Sequence, residues 1–220
     1  MLITYLGHSC FKIKTKEVAL ITDPFDKSVG INPKRVEVDV VTVSHQHHDH
    51  NNLEMIGGKP LVFNIPGEYE SKGIFIYGFA SFHDEHEGRD RGPNTIFLIE
   101  AEDLRICHLG DLGRLLPDKL IDELNGVDVL MIPVGGVYTI NAKEAQEIIN
   151  KIEPSVVIPI HYWTPKCSFR LDKIDEFARN QGVKDKTPVS SINVNSKTLN
   201  REETETIIMK PAGVRNNDNQ

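Results

Sequence analysis

Four histidines and an aspartate stand within six positions, at His45, His47, His48, Asp49 and His50, directly behind the run Val40-Val41-Thr42-Val43-Ser44. The β-branched run reads as a strand covered on both faces. The cluster behind it cannot be core, because each buried imidazole or carboxylate without a partner costs on the order of a couple of kcal/mol. His45 and His47 are two apart, so an extended chain turns both to one side. Asp49 and His50 follow a turn and approach the same point from another direction. Imidazole with carboxylate, and no thiolate, is a ligand set for a borderline-to-hard divalent cation. A histidine tract on a solvated loop is the competing explanation, and its fusion to a hydrophobic strand inside the chain disfavours it.

His45-x-His47-x-Asp49-His50 behind a hydrophobic strand resembles the signature of the metallo-β-lactamase superfamily, and the resemblance runs from Gly7 to about His161. It implies a third histidine, His83, completing one metal site with His45 and His47. His86 competes for that role but lies in the charged run Asp84-Glu85-His86-Glu87, which reads as a solvated loop. It further implies Asp111, in His108-Leu109-Gly110-Asp111, as a bridging carboxylate. His161 would be the last ligand, holding a second cation with Asp49, His50 and the shared Asp111. Asp49, Asp111 and His108 are the candidate catalytic groups, with a buried core histidine as the competing reading of His108. Asp23, at a strand end, offers a carboxylate to the outer ring N–H of a metal-bound histidine. His8, in Gly7-His8-Ser9, matches a loop near the site, or is a turn histidine bonded to backbone.

The segment from Pro133 to Thr139 resembles a loop bordering the site in one branch of the superfamily, metal-dependent hydrolases similar to the ascorbate-6-phosphate lactonase group. Arg89, Arg91 and Asn94 resemble the same branch. The two arginines either bind an anionic group of the substrate or pair with Glu85 and Glu87. The cofactor implied is a pair of divalent cations, Zn2+ first and Mn2+ or Fe2+ as alternatives. Such a pair supports hydrolysis with water as the direct attacker, on an ester, lactone or phosphoester of a small molecule. No Gly-x-Ser-x-Gly elbow and no suitably placed cysteine offers a covalent route. The rival readings are a phosphodiesterase or nuclease of the same superfamily and a non-catalytic metal-binding or sensing module. The full ligand set disfavours the second.

The elements that must carry these groups are β-rich in the first half. Strands are expected over 2–6, 10–14, 18–22, 39–44, 61–64 and 74–79, then a hairpin over 94–100 and 104–108 turning at Glu102-Asp103. The second half alternates: a short helix over 117–124, a strand over 128–132, a helix capped by Asn141 with Glu144 closing a capping box, and a strand over 156–160. A helix over 171–180 and strands over 192–194 and 206–209 follow. This pattern fits α+β, and the resemblance implies a four-layer αββα sandwich. One domain over 1–211 with a frayed polar tail over 212–220 is expected for 220 residues.

A net charge of −7 argues against non-specific nucleic-acid binding. No apolar run approaches the roughly 18–20 residues of a membrane span, and no signal peptide is apparent. The three cysteines, Cys10, Cys107 and Cys167, lack a CxxC spacing and read as reduced thiols, so a cytoplasmic location is expected. A homo-oligomer is compatible with the chain.

Overall fold

The computed structural model describes residues 1–165, 167–183 and 187–212. The strands of the first half are β1 Leu2–Gly7, β2 Cys10–Lys14, β3 Ala19–Thr22, β4 Val36–Glu37, β5 Val40–Thr42, β6 Ile56–Gly57, β7 Leu61–Phe63, β8 Gly67–Ser71, β9 Ile74–Phe82, β10 Pro93–Ala101 and β11 Leu104–His108. The second half continues with α1 Asp118–Glu123, β12 Val129–Pro133, α2 Ala142–Ile152, β13 Val156–Ile160, α3 Asp175–Asn180, β14 Ser191–Asn193 and β15 Glu205–Thr206.

Two mixed sheets form, one ordered β14-β1-β2-β3-β5-β7 and the other β15-β13-β12-β11-β10-β9-β8. Side-chain alternation along the strands explains how they pack. Ile3, Tyr5, Phe11, Ile13, Leu20 and Val40 of the first sheet share one buried core with Ile76, Phe97, Ile106, Met131 and Ile158 of the second. The other face of the second sheet, with Ile96, Leu98, Cys107, Leu130 and Val157, is covered by helical residues such as Ala145, Ile149 and Phe177. The result is the expected α+β sandwich, with one difference in its outer layers. The outer face of the first sheet, with Cys10, Ile21 and Val41, packs against Phe25, Val29 and Met55. Val29 and Met55 belong to short 3-10 turns, Lys27–Val29 and Leu53–Met55, rather than to α-helices.

The Asn141 cap forms as expected. Its side chain accepts from the N–H groups of Lys143 and Glu144, and the Glu144 carboxylate accepts from the N–H of Asn141. Glu102 and Asp103 turn the β10–β11 hairpin with φ of 55° and 58°, the left-handed pair that a two-residue turn requires. Two expectations change. The helix expected from 171 begins only at Asp175, because the Asp172 N–H donates to Gly135 O and its carbonyl accepts from Trp163 N, at 2.8 and 2.9 Å. Gly67–Ser71 is a strand not expected beforehand, an edge strand that shows Glu68 and Glu70 to solvent. Of the tail expected at 212–220, only Ala212 is described, its N–H donating to Tyr5 O at 2.8 Å; the rest lies outside the described residues. No described helix is long and apolar enough to cross a membrane.

Candidate metal centre

Every group of the centre arrives at the same edge of the sandwich because strands of both sheets end there. β5 releases the segment from Ser44 to His50, β9 ends one residue before His83, β11 leads through Gly110 to Asp111, and β13 ends one residue before His161. Gly110 makes the third approach feasible. It has φ of 57°, and a Cβ there would collide with Asn94 Oδ1 and the Ser44 side chain, so no other residue lets the chain pass so closely.

Two clusters result. His45, His47 and His83 offer one ring nitrogen each within 4.8 Å of one another, and so do His8, Asp49, His50 and His161 with their ring nitrogens and carboxylate. Asp111 joins the clusters. Its Oδ2 lies 3.8 Å from His45 Nε2, 3.3 Å from His83 Nε2, 3.2 Å from His50 Nε2 and 3.0 Å from His161 Nε2. Around it His45 Nε2, His50 Nε2 and Asp111 Oδ1 are buried without a hydrogen-bond partner. Each would cost roughly 1–3 kcal/mol if left so. Several lone pairs converging on one space, all from imidazole and carboxylate, fit divalent cations better than any arrangement of protons.

The surrounding bonds hold the rings in that orientation. Asp23 is fully buried. It accepts from Ser44 N at 2.8 Å, Ser44 Oγ at 2.6 Å and His50 Nδ1 at 2.9 Å. Because the Ser44 hydroxyl donates to Asp23, its oxygen is left to accept from His45 Nδ1, at 2.9 Å. Both rings therefore carry a proton on Nδ1 and turn Nε2 inward, the arrangement by which an outer carboxylate orients a ligand histidine. Asn94 is spent in the same way: Oδ1 accepts from Asp111 N at 3.0 Å, and Nδ2 donates to Ser81 Oγ at 2.7 Å and Leu109 O at 2.9 Å. It positions Asp111 and has no free amide group for a substrate.

Electrostatics follow from burial and crowding. Burial pushes the His50 imidazole down, but Asp111 and Asp23 outweigh it and hold it well above its ordinary value. Burial raises Asp111, yet His161 and His50 hold it well below the usual carboxylate range. Asp49 is likewise raised by burial and lowered more by the hydrogen bond from His8 and the charge of His50, so it stays ionised. His8 is driven to about 4 by burial and by His161, against the pull of Asp49. It is therefore neutral at neutral pH and donates Nε2–H to Asp49 Oδ2 at 3.2 Å.

A cavity of about 520 Å³ opens over the cluster, with His47, Asp49, His83, Asp111 and His161 at its base and Arg91, Tyr138 and Phe169 in its wall. Three of the candidates named from the sequence reach neither this cavity nor the cluster beneath it. His108 is buried with both ring nitrogens used, Nε2 donating to Ser9 O at 2.8 Å and Nδ1 accepting from Gly110 N at 3.2 Å. It supports the Gly110 turn, and its proposed catalytic role is corrected. Thr139 is buried, its hydroxyl donating to Ile140 O. Arg89 is exposed and makes no ion pair with Glu85 or Glu87. His86 points outward to Asp90, 2.6 Å away. Ser44 and Asp84 were missed. Ser44 sits directly between strand and cluster, and Asp84 directly follows His83, so adjacency to a ligand was the available signal for both.

Similarity to known proteins agrees with this geometry. The Beta-lactamase superfamily domain model matches residues 2–161. A UPF0173 metal-dependent hydrolase of Methanospirillum hungatei is 33% identical over 206 residues, covering 81% of this chain and 90% of that protein. One of Methanopyrus kandleri is 29% identical, covering 74% and 85%. A crystal structure from Thermotoga maritima, described as a candidate Zn-dependent hydrolase of the metallo-β-lactamase superfamily, superposes with a TM-score of 0.78 at 35% identity, covering 94% of this chain and 97% of that one. The chain belongs to the metallo-β-lactamase superfamily and, within it, to the UPF0173 metal-dependent hydrolases.

Proposed function

We propose that the chain hydrolyses an ester, lactone or phosphoester bond of a small molecule, with two divalent cations held between its sheets. Zn2+ is the first expectation for an imidazole-rich set, and Mn2+ and Fe2+ suit the same donors. The observation that carries the reading is Asp111 Oδ2, set among four inward-facing imidazole nitrogens drawn from both clusters. His45, His47 and His83 would hold one cation, Asp49, His50 and His161 the other, with Asp111 shared. When bound, such a pair supplies an acidified water and a Lewis acid for the scissile carbonyl or phosphoryl oxygen.

The chain's own residues do the rest. Asp49, ionised and facing the cavity, orients the attacking water by accepting its hydrogen bond. His8 fixes Asp49 Oδ2, and Asn94 fixes the backbone of Asp111. Phe169 packs edge-on against His8, ring centres 5.6 Å apart, and screens the second cluster from bulk water. A cytoplasmic location, argued from three free thiols, belongs to the same proposal.

The test is elemental analysis of protein purified without a nickel column or chelator. About two ions per chain are expected, together with turnover of chromogenic phosphodiesters or lactones. Asp111→Ala and His83→Ala should lose ions and turnover, whereas His86→Ala should keep both. No bound metal, even after soaking, would overturn the hydrolase reading. Loss of metal in His86→Ala would overturn the choice of His83.

A further inference from the structure

Arg91 stands apart from the centre and is built to meet something. Its guanidinium lies over the Tyr138 ring, 5.5 Å from the ring centre. No carboxylate lies within ion-pair distance of it among the described residues, in a protein of net charge −7. The loop that carries it is fixed rather than loose. Asp84 is buried, and its carboxylate accepts four backbone N–H groups, from His86 and Gly88 at Oδ1 and from Asp90 and Arg91 at Oδ2, at 2.8–3.1 Å. One side chain thus gathers residues 84–91 into a closed turn and sets the Arg91 backbone in place. The bond to Arg91 N ties the arginine to the residue next to His83, so its position is linked to the centre.

Across the cavity Phe169 continues the wall. Its ring lies 6.4 Å from Tyr138 and 6.4 Å from His161. The wall therefore runs from the His161 ligand through two aromatic rings to a half-buried cation without a counter-ion. From this juxtaposition we propose that Arg91 is the specificity-determining residue for substrate. The molecule bound is a small organic anion, with its apolar body against Phe169 and Tyr138 and a carboxylate, sulfonate or phosphate on Arg91, away from the scissile bond. A guanidinium already oriented by stacking loses little freedom on forming a bidentate bond. Asp84 is a positioning residue in this scheme. The inference rests on the hydrolase reading for the site but not for its test.

That test reads binding without turnover. The metal-replete protein is titrated with 4-methylbenzenesulfonate, an aryl anion that ligates metals weakly, and with its neutral isostere methyl 4-methylphenyl sulfone. The sulfonate should bind on the order of tenfold tighter, as one charge-assisted hydrogen bond implies. Arg91→Gln should erase the preference without changing metal content, and Tyr138→Ala should weaken both ligands. Equal binding of the two, no detectable sulfonate binding, or a preference that survives in Arg91→Gln would each overturn the assignment. Turnover reports separately on the hydrolase: it can be missing while the sulfonate preference stands, and the preference can be missing while turnover is intact.

Discussion

Asp23 illustrates how a residue that touches no substrate governs those that do. It directly follows β3, has φ of 39°, and spends its carboxylate on Ser44 and His50, with His45 reached through the Ser44 hydroxyl. Asp23→Asn keeps the volume but removes the charge and one acceptor, so the Nδ1 protons of both rings are no longer drawn outward. The expected outcome is metal affinity lower by roughly 10- to 100-fold, with the circular dichroism spectrum of the fold unchanged. Competition with a chromogenic chelator measures it. Asp23 was legible in the sequence as a strand-end carboxylate, and Ser44, the relay beside it, was not. Nothing in a serine's type shows that it will stand between two partners brought from distant positions. His108 shows the reverse error: a histidine next to a ligand loop attracts a chemical reading, but the backbone of Ser9 and Gly110 consumes both its nitrogens.

At the scale of elements, signals carried by neighbouring residues were readable and those set by tertiary pairing were not. The capping box at Asn141 and the turn at Glu102-Asp103 depend on residues three and one apart, and both form where the sequence places them. The start of α3 depends on Asp172 pairing with Gly135, a partner 37 positions away by number (172 − 135), which no local pattern reveals. β8 escaped because its exposed positions are charged while Tyr69 and Ser71 turn inward, an edge-strand composition that propensity alone scores poorly. Asn141→Ala should cost about 1 kcal/mol of stability, seen as a lower urea midpoint at unchanged slope. Metal content should not move, because α2 packs on the outer face of the second sheet, away from the centre.

For the whole molecule, the sandwich sets which thiols chemistry can reach. Cys10 and Cys107 are buried on the two outer faces of the sheets, and burial pushes both thiols well up. Cys167 is half-buried, its thiol raised more modestly by burial and donating to Phe169 O at 3.4 Å. Iodoacetamide should therefore modify Cys167 alone in the native protein, and all three in guanidinium, with peptide mass spectrometry as the readout. Labelling of Cys10 or Cys107 in the native state would contradict the packing described. The α+β sandwich was legible through the family signature more than through composition. Arg91 and the 133–139 segment that carries Tyr138 were legible through the resemblance, but their meeting with Phe169 in one cavity was not, because these three loops come together only in the whole fold.

The division of the ligands between the two sheets has a bearing on how the protein is made. His45 to His50 leave the first sheet, whereas His83, Asp111 and His161 leave the second. Neither sheet alone presents a complete donor set, so the centre comes into being only when the sheets close on each other. A cation held there acts as a rivet across the seam, linked thermodynamically to the assembled state alone. A nascent or half-folded chain thus has no competent site, and the capacity to hold a cation is conferred at the last stage of assembly.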